Sequence, residues 1–241
     1  MIKKTILFIS VLIFSFAYLR AQESRLEIDT LYHQIDTMQY RFARYVPQNA
    51  HYHFQRVKPD SNNTNLLMSV VAAFTSKAPE HVVGTSVSNG KKRIYPTDAE
   101  TAYCLIIGEE VKIEALDSNH KLAITRAVKE KGDYFQQMHL IENSEAKACE
   151  IFKNRATFRR ALAQKEDETH LIESLDRMTI DDFIQSLIFL GYEQAIYLDM
   201  GSWSEGWYRN EDNEIIRIGN NWKSSHLQTN WLVIRKNKSK T

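Results

Sequence analysis

Short apolar segments separated by turn residues recur along this sequence and constrain its fold more than any other feature. The dipeptide Asn89-Gly90 lies between two segments of strand character and is the strongest short-range signal for a β-hairpin. The pair Glu109-Glu110 separates AYCLIIG from VKIEAL, and an Asp/Glu-rich turn divides the segment RRALAQKEDETHLIES. The sequence therefore predicts a β-sheet whose strands are largely linked by hairpins.

Three further segments have the composition of strands. The run NLLMSVVAAFTSK, residues 65–77, is apolar and rich in β-branched residues, which predicts a strand buried on both faces. The segment YFQQMHLIEN, residues 134–143, predicts one more strand, and TNWLVIRK predicts the last one. Between Leu26 and Tyr45, charged and aromatic residues recur with roughly helical spacing, so we expect a helix that covers an edge of the sheet.

The clearest helix signal lies between Thr179 and Leu190. Thr179 can cap the N-terminus, Asp182 completes a start similar to a capping box, and Gly191 ends the helix. Apolar residues recur on one face of this segment: Phe183, Ile184, Leu187, Ile188 and Leu190. Many hairpin-linked strands with a few packed helices predict the α+β class.

The first residues predict a signal peptide that is not part of the fold. Lys3 and Lys4 precede an apolar run from Ile6 to Tyr18, and Ala21-Gln22 offers a cleavage site. The run is too short for a comfortable membrane span, which needs about 20 apolar residues, and an uncleaved anchor is the alternative. We therefore expect a signal peptide over residues 1–21 and a secreted or periplasmic protein that is not stably inserted in the membrane after cleavage.

The composition is that of an ordinary globular protein. Of the 241 residues, 43% are hydrophobic and 25% are charged, and neither a repeat nor a long flexible linker occurs. The net charge of +1 provides no basic field that would favour a nucleic acid as partner. We expect residues 22–241 to form a single domain.

Cysteines and histidines give weak signals for a disulfide or a metal site. Cys104 and Cys149 could form a disulfide in an oxidising compartment, or pack as two separate buried thiols. His51 and His53 would point to the same side of a strand, as metal ligands can, but no third ligand is near in sequence, so we predict no metal site. The sequence has no glycine-rich phosphate loop, G-x-S-x-G motif or C-x-x-C pair, and no cofactor is expected.

The stretch QAIYLDMGSWSEGWYRN, residues 194–210, is the strongest candidate for a functional site. Its short apolar strand ends in Asp199 and opens into a loop, the position from which scaffolds usually present catalytic groups. Such a carboxylate can act as base, nucleophile or metal ligand; the alternative is a turn-forming aspartate bonded to its own loop. The aromatic residues that follow suit a sugar ring or, equally, a hydrophobic plug that closes the strand ends. Glu205 and Arg209 could pair with each other.

Five segments resemble, in order, the motifs of the phosphodiester glycosidase family. VVGTSVSNGK resembles the family's G-x-VVSDG hairpin, HLIEN its LIRNG strand, and FRRALA its arginine-bearing ARTAIG strand. AIYLDMGS resembles its NA-x-x-LDGGGS strand and loop, and QTNWLVI its closing strand. The resemblance covers roughly Leu66 to Val233. It implies a mixed α/β domain with a surface cleft that cleaves a sugar-1-phosphate diester, so that the expected partner is a carbohydrate or sugar-phosphate substrate.

The resemblance also implies roles for individual residues. Asp199 corresponds to the catalytic carboxylate and Arg159 to the arginine that would bind the phosphate, with a surface ion pair as the alternative for Arg159. Arg160 points to the opposite face of the strand, where we expect a surface ion pair. Glu173 is the candidate for a second carboxylate, with a solvated edge residue as the alternative. The candidate substrate-binding residues on the loop are Gly201, Ser202, Trp203, Trp207, Tyr208 and Arg209.

This chain lacks several glycines of the family's motifs. The motif NGGF corresponds to Val71-Ala72-Ala73-Phe74, LDGGGS corresponds to LDMGSW at 198–203, and RTAIG corresponds to RRALA at 159–163. Side chains in place of glycines fill space where a backbone could approach a ligand, so we expect a cleft of different shape and a different substrate. Two hypotheses remain open: a secreted phosphodiester glycosidase of altered specificity, and a non-catalytic carbohydrate- or envelope-binding module on the same fold.

Overall fold

Three antiparallel β-sheets and two α-helices make up the part of the chain that the structure describes. The computed structural model describes residues 23–76, 81–95, 100–149, 155–201, 204–219 and 225–237. Within these ranges the elements confirm the predicted α+β class, with strands in the majority. The predicted signal peptide over residues 1–21 and its cleavage site lie outside the described residues.

The strands follow one another along the chain with short connections. In chain order they are β1 (Arg25–Ile35), β2 (Met38–Gln48), β3 (Ala50–Gln55), β4 (Leu66–Val71), β5 (Gly84–Ser88), β6 (Lys91–Tyr95), β7 (Ala102–Ile107), β8 (Glu110–Ala115), β9 (Asp133–Gln137), β10 (His139–Glu142), β11 (Glu145–Ala146), β12 (Arg160–Lys165), β13 (Glu168–Ser174), β14 (Gln194–Leu198), β15 (Gly206–Arg209), β16 (Ile215–Ile218) and β17 (Trp231–Lys236).

The strands are distributed over one seven-stranded and two five-stranded sheets. Sheet A has the order β1-β2-β13-β12-β14-β10-β11, sheet B the order β16-β15-β4-β17-β3, and sheet C the order β6-β5-β9-β7-β8. Hairpins join β5 to β6, β7 to β8 and β12 to β13, as the turn signals predict. Asn89 and Gly90 have φ values of 49° and 74°, the left-handed conformation that a tight hairpin turn requires.

Two helices cover the outer faces of sheets C and A. Helix α1 (His120–Lys129) packs Ala123, Ile124 and Ala127 against sheet C. Helix α2 (Ile180–Phe189) begins as predicted, because the Thr179 hydroxyl accepts a hydrogen bond from the Asp182 backbone N–H. A 3-10 turn spans Ser225–Leu227. Among the described residues, neither helix reaches the length and apolar character that crossing a membrane would require.

One hydrophobic core lies at the centre, between the inner faces of all three sheets. Leu162 and Ile196 come from sheet A, Leu232 from sheet B, and Phe54 of sheet B stacks on Phe135 of sheet C at 5.2 Å between ring centroids. The continuous apolar strand β4 is buried on both faces, as predicted. The sheets therefore enclose a shared interior, and polar groups in it need internal partners.

Asp133 is a polar link between sheets B and C in this interior. Its carboxylate accepts hydrogen bonds from the backbone N–H groups of Phe54 at 3.0 Å and of Asn89 at 2.8 Å. The same carboxylate lies 2.5 Å from Nδ1 of His53. One buried side chain thus holds β3 of sheet B, β9 of sheet C and the turn between β5 and β6 together.

Two predictions of secondary structure are wrong. The segment from Leu26 to Tyr45 forms the strands β1 and β2 instead of a helix, because β2 pairs with β13 and the charged residues of β1 face solvent. The segment 134–143 forms two strands in different sheets instead of one. The strand is interrupted at Met138, whose backbone N–H donates a hydrogen bond to the Gln137 side chain.

We expect Leu187→Ala to lower the free energy of unfolding by about 2–5 kcal/mol, because it opens a cavity in a packed core. Leu187 is fully buried between α2 and the outer face of sheet A. Denaturant unfolding measures the effect. Gln185→Ala, on the exposed side of the same helix, is the control and should change stability by less than about 0.5 kcal/mol. Equal losses in both variants would contradict the packing described for α2.

Candidate active site

Asp199 lies at the junction of sheets A and B. It directly follows β14, which is flanked in sheet A by β12 and β10. Its backbone N–H donates to the carbonyl oxygen of Ala72, the residue after β4 of sheet B, at 3.0 Å. Asp199 is only 7% exposed. Because β14 is paired on both edges and the Asp199 backbone is bonded to Ala72, the backbone that carries the carboxylate has a fixed position.

The Asp199 carboxylate is partly bonded to its own loop. Its Oδ1 accepts a hydrogen bond from the Gly201 N–H at 2.8 Å, which is the turn-forming contact that the sequence left open. A side chain at 201 would place its Cβ 3.0 Å from that oxygen, so the glycine leaves the carboxylate room. Burial raises the pKa of Asp199 to about 6, against the opposing effects of the Gly201 N–H and the Arg160 charge. Such a group exchanges protons close to neutral pH, as a general base requires.

Arg160 of β12 and Glu173 of β13 form a buried ion pair in sheet A. The Nε and Nη2 atoms of Arg160 donate to Oε2 of Glu173 at 3.0 and 2.7 Å. Arg160 is fully buried and Glu173 is 7% exposed, so the expectations of a surface ion pair and of a solvated edge residue are both wrong. Because β12 lies between β13 and β14, Arg160 is in register with Glu173 on one side and with Leu198 on the other.

Arg159 directly precedes β12, and its side-chain partners differ from those of Arg160, as the alternation of faces predicts. It is fully buried, its Nε donates to the Met178 carbonyl oxygen at 3.4 Å, and its Nη2 donates to the Arg155 carbonyl oxygen. It also forms a side-chain hydrogen bond with Tyr197. The interpretation of Arg159 as a member of a surface ion pair is therefore wrong.

Tyr197 connects the two residues that the resemblance singles out. Burial and the charge of Asp199 raise its pKa to about 12, while the charges of Arg159 and Arg160 oppose that rise. The charge of Asp199 and the hydrogen bond of Arg159 therefore both act on the same buried hydroxyl. Tyr197 is not recognisable as a site residue from the sequence, because in AIYLD it resembles any core residue of a strand. Only its position two residues before Asp199 could have drawn attention to it.

The aromatic residues after Asp199 belong to sheet B. Trp207 and Tyr208 are in β15, which pairs with β4, so the prediction of a continuous loop is wrong at these positions. Trp207 is 5% exposed and packs with Trp231 and Val233. Tyr208 packs on Tyr45 at 5.7 Å between ring centroids. This is the hydrophobic packing that the sequence allowed as an alternative to sugar binding.

Other predicted residues of this stretch have structural contacts or lie outside the described residues. Arg209 donates to the backbone carbonyl oxygens of Leu66, Asn213 and Ser61 at 3.3, 2.8 and 2.6 Å. Glu205 pairs with Lys58 at 3.1 Å, so its predicted pairing with Arg209 is wrong. Ser202 and Trp203 lie outside the described residues, and their assignment to substrate binding stays a prediction.

Asn230, which no sequence motif singles out, is fully buried and bound to the backbone that follows β4. Its side chain accepts from the Ala73 N–H at 2.7 Å and donates to the Ala73 carbonyl oxygen at 2.9 Å. Ala72 and Ala73 are both fully buried. They stand where the motif NGGF of the resembling family has its two glycines.

The weaker sequence signals have structural explanations. Cys104 and Cys149 are buried, are not joined in a disulfide and belong to different clusters, which decides against the disulfide. His51 contacts the Asn237 side chain at 2.7 Å, and His53 pairs with Asp133. Across the described ranges, no three His, Cys, Asp or Glu side chains are grouped closely enough to hold a metal ion.

Comparison with known proteins supports a relationship at the level of the fold. No protein-family model and no curated protein sequence matches this chain. Its structure is similar to the catalytic domain of zebrafish N-acetylglucosamine-1-phosphodiester alpha-N-acetylglucosaminidase auto-inhibited by its pro-peptide, with a TM-score of 0.63, 12% identity, and coverage of 89% of this chain and 83% of that chain.

A second similar structure is a hypothetical protein from Synechocystis, with a TM-score of 0.53 and 10% identity. The match covers 88% of this chain and 62% of that chain. At such identities the likeness concerns the fold alone. The chain thus has a fold similar to that of a phosphodiester glycosidase catalytic domain, with Asp199 at the junction of two of its sheets.

Proposed function

We propose that this protein is a secreted hydrolase of the phosphodiester glycosidase type, which cleaves the glycosidic C–O bond of a sugar-1-phosphate diester. The observation that carries the proposal is the buried Asp199 carboxylate at the junction of sheets A and B, with a pKa raised to about 6. The similarity to the zebrafish catalytic domain, whose name describes a glycosidase acting on a phosphodiester, supports the choice of reaction.

The leaving group explains why one carboxylate is sufficient. Ordinary glycosidases use two carboxyl groups, because one must protonate a poor alkoxide leaving group. A sugar-1-phosphate diester releases a phosphate monoester, whose second pKa is about 6, so it needs little protonation. Asp199 assists attack at the anomeric carbon. For Arg159 to bind the phosphate with its guanidinium fork, it would have to exchange its contacts with the Met178 and Arg155 carbonyl oxygens for phosphate oxygens. Glu173 is committed to Arg160 and is not needed as an acid.

The packing of the aromatic residues bears on the alternative of a non-catalytic binding module. Such a module would need aromatic faces accessible to a sugar ring. Trp207 is buried in sheet B, and Tyr208 packs against the central core. A buried carboxylate whose pKa is raised to about 6 suits acid–base catalysis, which favours the enzyme.

We expect the purified protein, residues 22–241, to release sugar from at least one member of a panel of sugar-1-phosphate diesters. Product formation is followed by chromatography of the released sugar and phosphate monoester. Asp167→Asn, in the exposed turn between β12 and β13, is the matched control and should retain full activity. Binding of panel members without turnover, measured by calorimetry, would instead support the binding module.

A further inference from the structure

Strand β1 forms one edge of sheet A along its whole length of 11 residues. It pairs with β2 from Arg25↔Gln48 to Ile35↔Met38 in one continuous register, and none of the described strands pairs with its other side. An edge strand of this length presents a row of backbone N–H and C=O groups to which another strand can add. We call this row the free edge of β1.

The pairing on the other side of β2 identifies which residues of β1 direct their backbone groups to the free edge. The Leu175 N–H, directly after β13, donates to the carbonyl oxygen of Arg41 at 2.8 Å, so the odd-numbered residues of β2 bond towards β13. Because backbone groups alternate in direction along an antiparallel strand, the even-numbered residues of β2 bond to β1. Their partners in β1 are odd-numbered, which leaves the even-numbered residues of β1 to the free edge.

The residues at the free edge carry none of the devices that usually keep an edge strand single. Such devices are lysine, proline and β-bulges, and β1 has none of them. All charged residues of β1 are at odd-numbered positions. The edge strand β6 of sheet C, in contrast, begins with Lys91-Lys92-Arg93. The free edge of β1 consists of five uncharged residues: Leu26, Ile28, Thr30, Tyr32 and Gln34.

Exposed apolar side chains flank the free edge on both faces of sheet A. On one face, Ile28 and Tyr32 are 41% and 54% exposed. On the other face, Phe189 at the end of α2 is 67% exposed and stacks on His33 of β1, with 4.0 Å between the ring centroids. Together with Met38 at the start of β2, they are four of the ten large apolar side chains that are exposed in the described ranges. Such a concentration marks a surface that another protein covers.

We propose that the protein forms a homodimer in which the free edges of two copies of β1 pair antiparallel about a two-fold axis at Thr30. Sheet A then continues from one subunit into the other. Antiparallel pairing of identical strands is isologous, so the contact closes at two copies and builds no fibre. The dimer stands independently of the proposed function, because it uses no residue of the candidate site.

The sequence of β1 selects this register among the possible ones. With the axis at Thr30, every residue of β1 has a partner, and each pair of residues at the free edge exchanges two hydrogen bonds. Ile28 then lies opposite the partner's Tyr32, and a β-branched side chain opposite an aromatic one stabilises a sheet. An axis at Asp29 would place two carboxylates directly opposite each other, which is destabilising. An axis at Leu31 would leave the first two residues of β1 unpaired.

The mass of the protein in solution tests the dimer. Sedimentation equilibrium of residues 22–241 at micromolar concentrations should give twice the monomer mass. Thr30→Lys sets two ammonium groups opposite each other at the axis and should raise the dissociation constant at least about tenfold. Thr125→Lys, the same substitution on the exposed side of α1, is the matched control and should leave it unchanged.

A monomeric wild type, or a dissociation constant that Thr30→Lys leaves unchanged, would overturn the inference. Thermal unfolding checks that the variant is folded. Ile28→Lys replaces it if Thr30→Lys does not fold, because this side chain is exposed at the same edge. The same weakening of the dimer is then expected.

Cysteine cross-linking tests the register separately. Opposite residues of a hydrogen-bonded pair have Cα atoms about 5.5 Å apart, within the range that a disulfide spans. Under mild oxidation Thr30→Cys should therefore form a covalent dimer, seen by electrophoresis without reductant. Ile28→Cys alone should not, because the two copies of residue 28 would be four residues apart, about 14 Å along the strands.

A mixture of Ile28→Cys with Tyr32→Cys should again form a covalent dimer, because these two positions are opposite each other in the register. The wild type is the control, since Cys104 and Cys149 are both buried. No covalent dimer of Thr30→Cys, or cross-linking of Ile28→Cys alone as readily as in the mixture, would overturn the pairing about Thr30.

Discussion

Asp199→Asn is expected to lower kcat for a cleaved sugar-1-phosphate diester by about 10²–10⁴-fold, the usual contribution of a positioned acid–base group. The asparagine keeps an oxygen that can accept the Gly201 hydrogen bond, so the loop geometry should be preserved. It cannot take up a proton or attack carbon. KM should change much less than kcat, because Asp199 acts on the reacting bond and contributes little to ground-state binding.

The same variant should be at least as stable as wild type at pH 7. Burial raises the pKa of Asp199 to about 6 in the folded protein, whereas an unfolded aspartate titrates near about 3.9. The folded state then binds more protons between these values, so wild-type stability falls as the pH rises from about 4 to about 6. At about 1.4 kcal/mol per unit, the ionised carboxylate costs roughly 3 kcal/mol, and asparagine avoids that cost.

Denaturant unfolding of both proteins from pH 4 to pH 7 measures this effect. The wild-type loss across the interval should be absent from Asp199→Asn and present in the control variant Asp167→Asn. If Asp199→Asn lost activity and was also less stable than wild type at pH 7, the catalytic role of Asp199 would be contradicted. Such a result would indicate that Asp199 mainly stabilises the conformation of its loop.

Asp133→Ala is expected to destabilise the protein by about 5 kcal/mol or more. It removes the acceptor of two backbone N–H groups, those of Phe54 and Asn89, and the partner of His53. Hydrogen bonds to a charged group are worth about 1.5–3 kcal/mol each, and buried donors left without partners add to the loss. Because a domain is stabilised by only about 5–15 kcal/mol in total, this change can unfold it.

Thermal and denaturant unfolding of Asp133→Asn provide the comparison for this prediction. The amide keeps one acceptor oxygen, so it should recover part of the loss. Asp176→Asn, in an exposed ion pair with Arg41, is the control and should cost less than about 1 kcal/mol. A loss below about 1 kcal/mol in Asp133→Ala would show that sheets B and C do not depend on this carboxylate.

Local turn and cap chemistry made most strands and helix α2 predictable from the sequence. Asn89-Gly90 forms the hairpin turn and Thr179 caps helix α2, and both structures depend only on contacts within a few residues of the chain. Helix α1 was missed because it has no acidic residue in its first turn and its N-cap, Asn119, makes no side-chain cap bond. The segment from Leu26 to Tyr45 was misassigned because its strand character depends on pairing with β13, which no local pattern reveals.

The position of Asp199 at the end of a strand was predictable, whereas its neighbours were not. Alternation showed that Arg159 and Arg160 face opposite sides, but the register of β12 against β14 decides which charge acts on which partner. The burial of Trp207 follows from the pairing of β15 with β4, again a contact between distant parts of the chain. Residues whose roles depend on such pairings cannot be assigned from neighbouring sequence.

The strand pairing of sheets A and B has a consequence for the rate at which this chain folds. The N-terminal strands β2, β3 and β4 pair with β13, β17 and β15, which all come from the C-terminal half. Contacts so distant in sequence must close long loops before they gain any stabilising free energy, and such topologies fold in milliseconds to seconds. The first strands therefore remain without these partners until late in synthesis. Strand β3 can pair with β17 only after residues 231–236 have been synthesised.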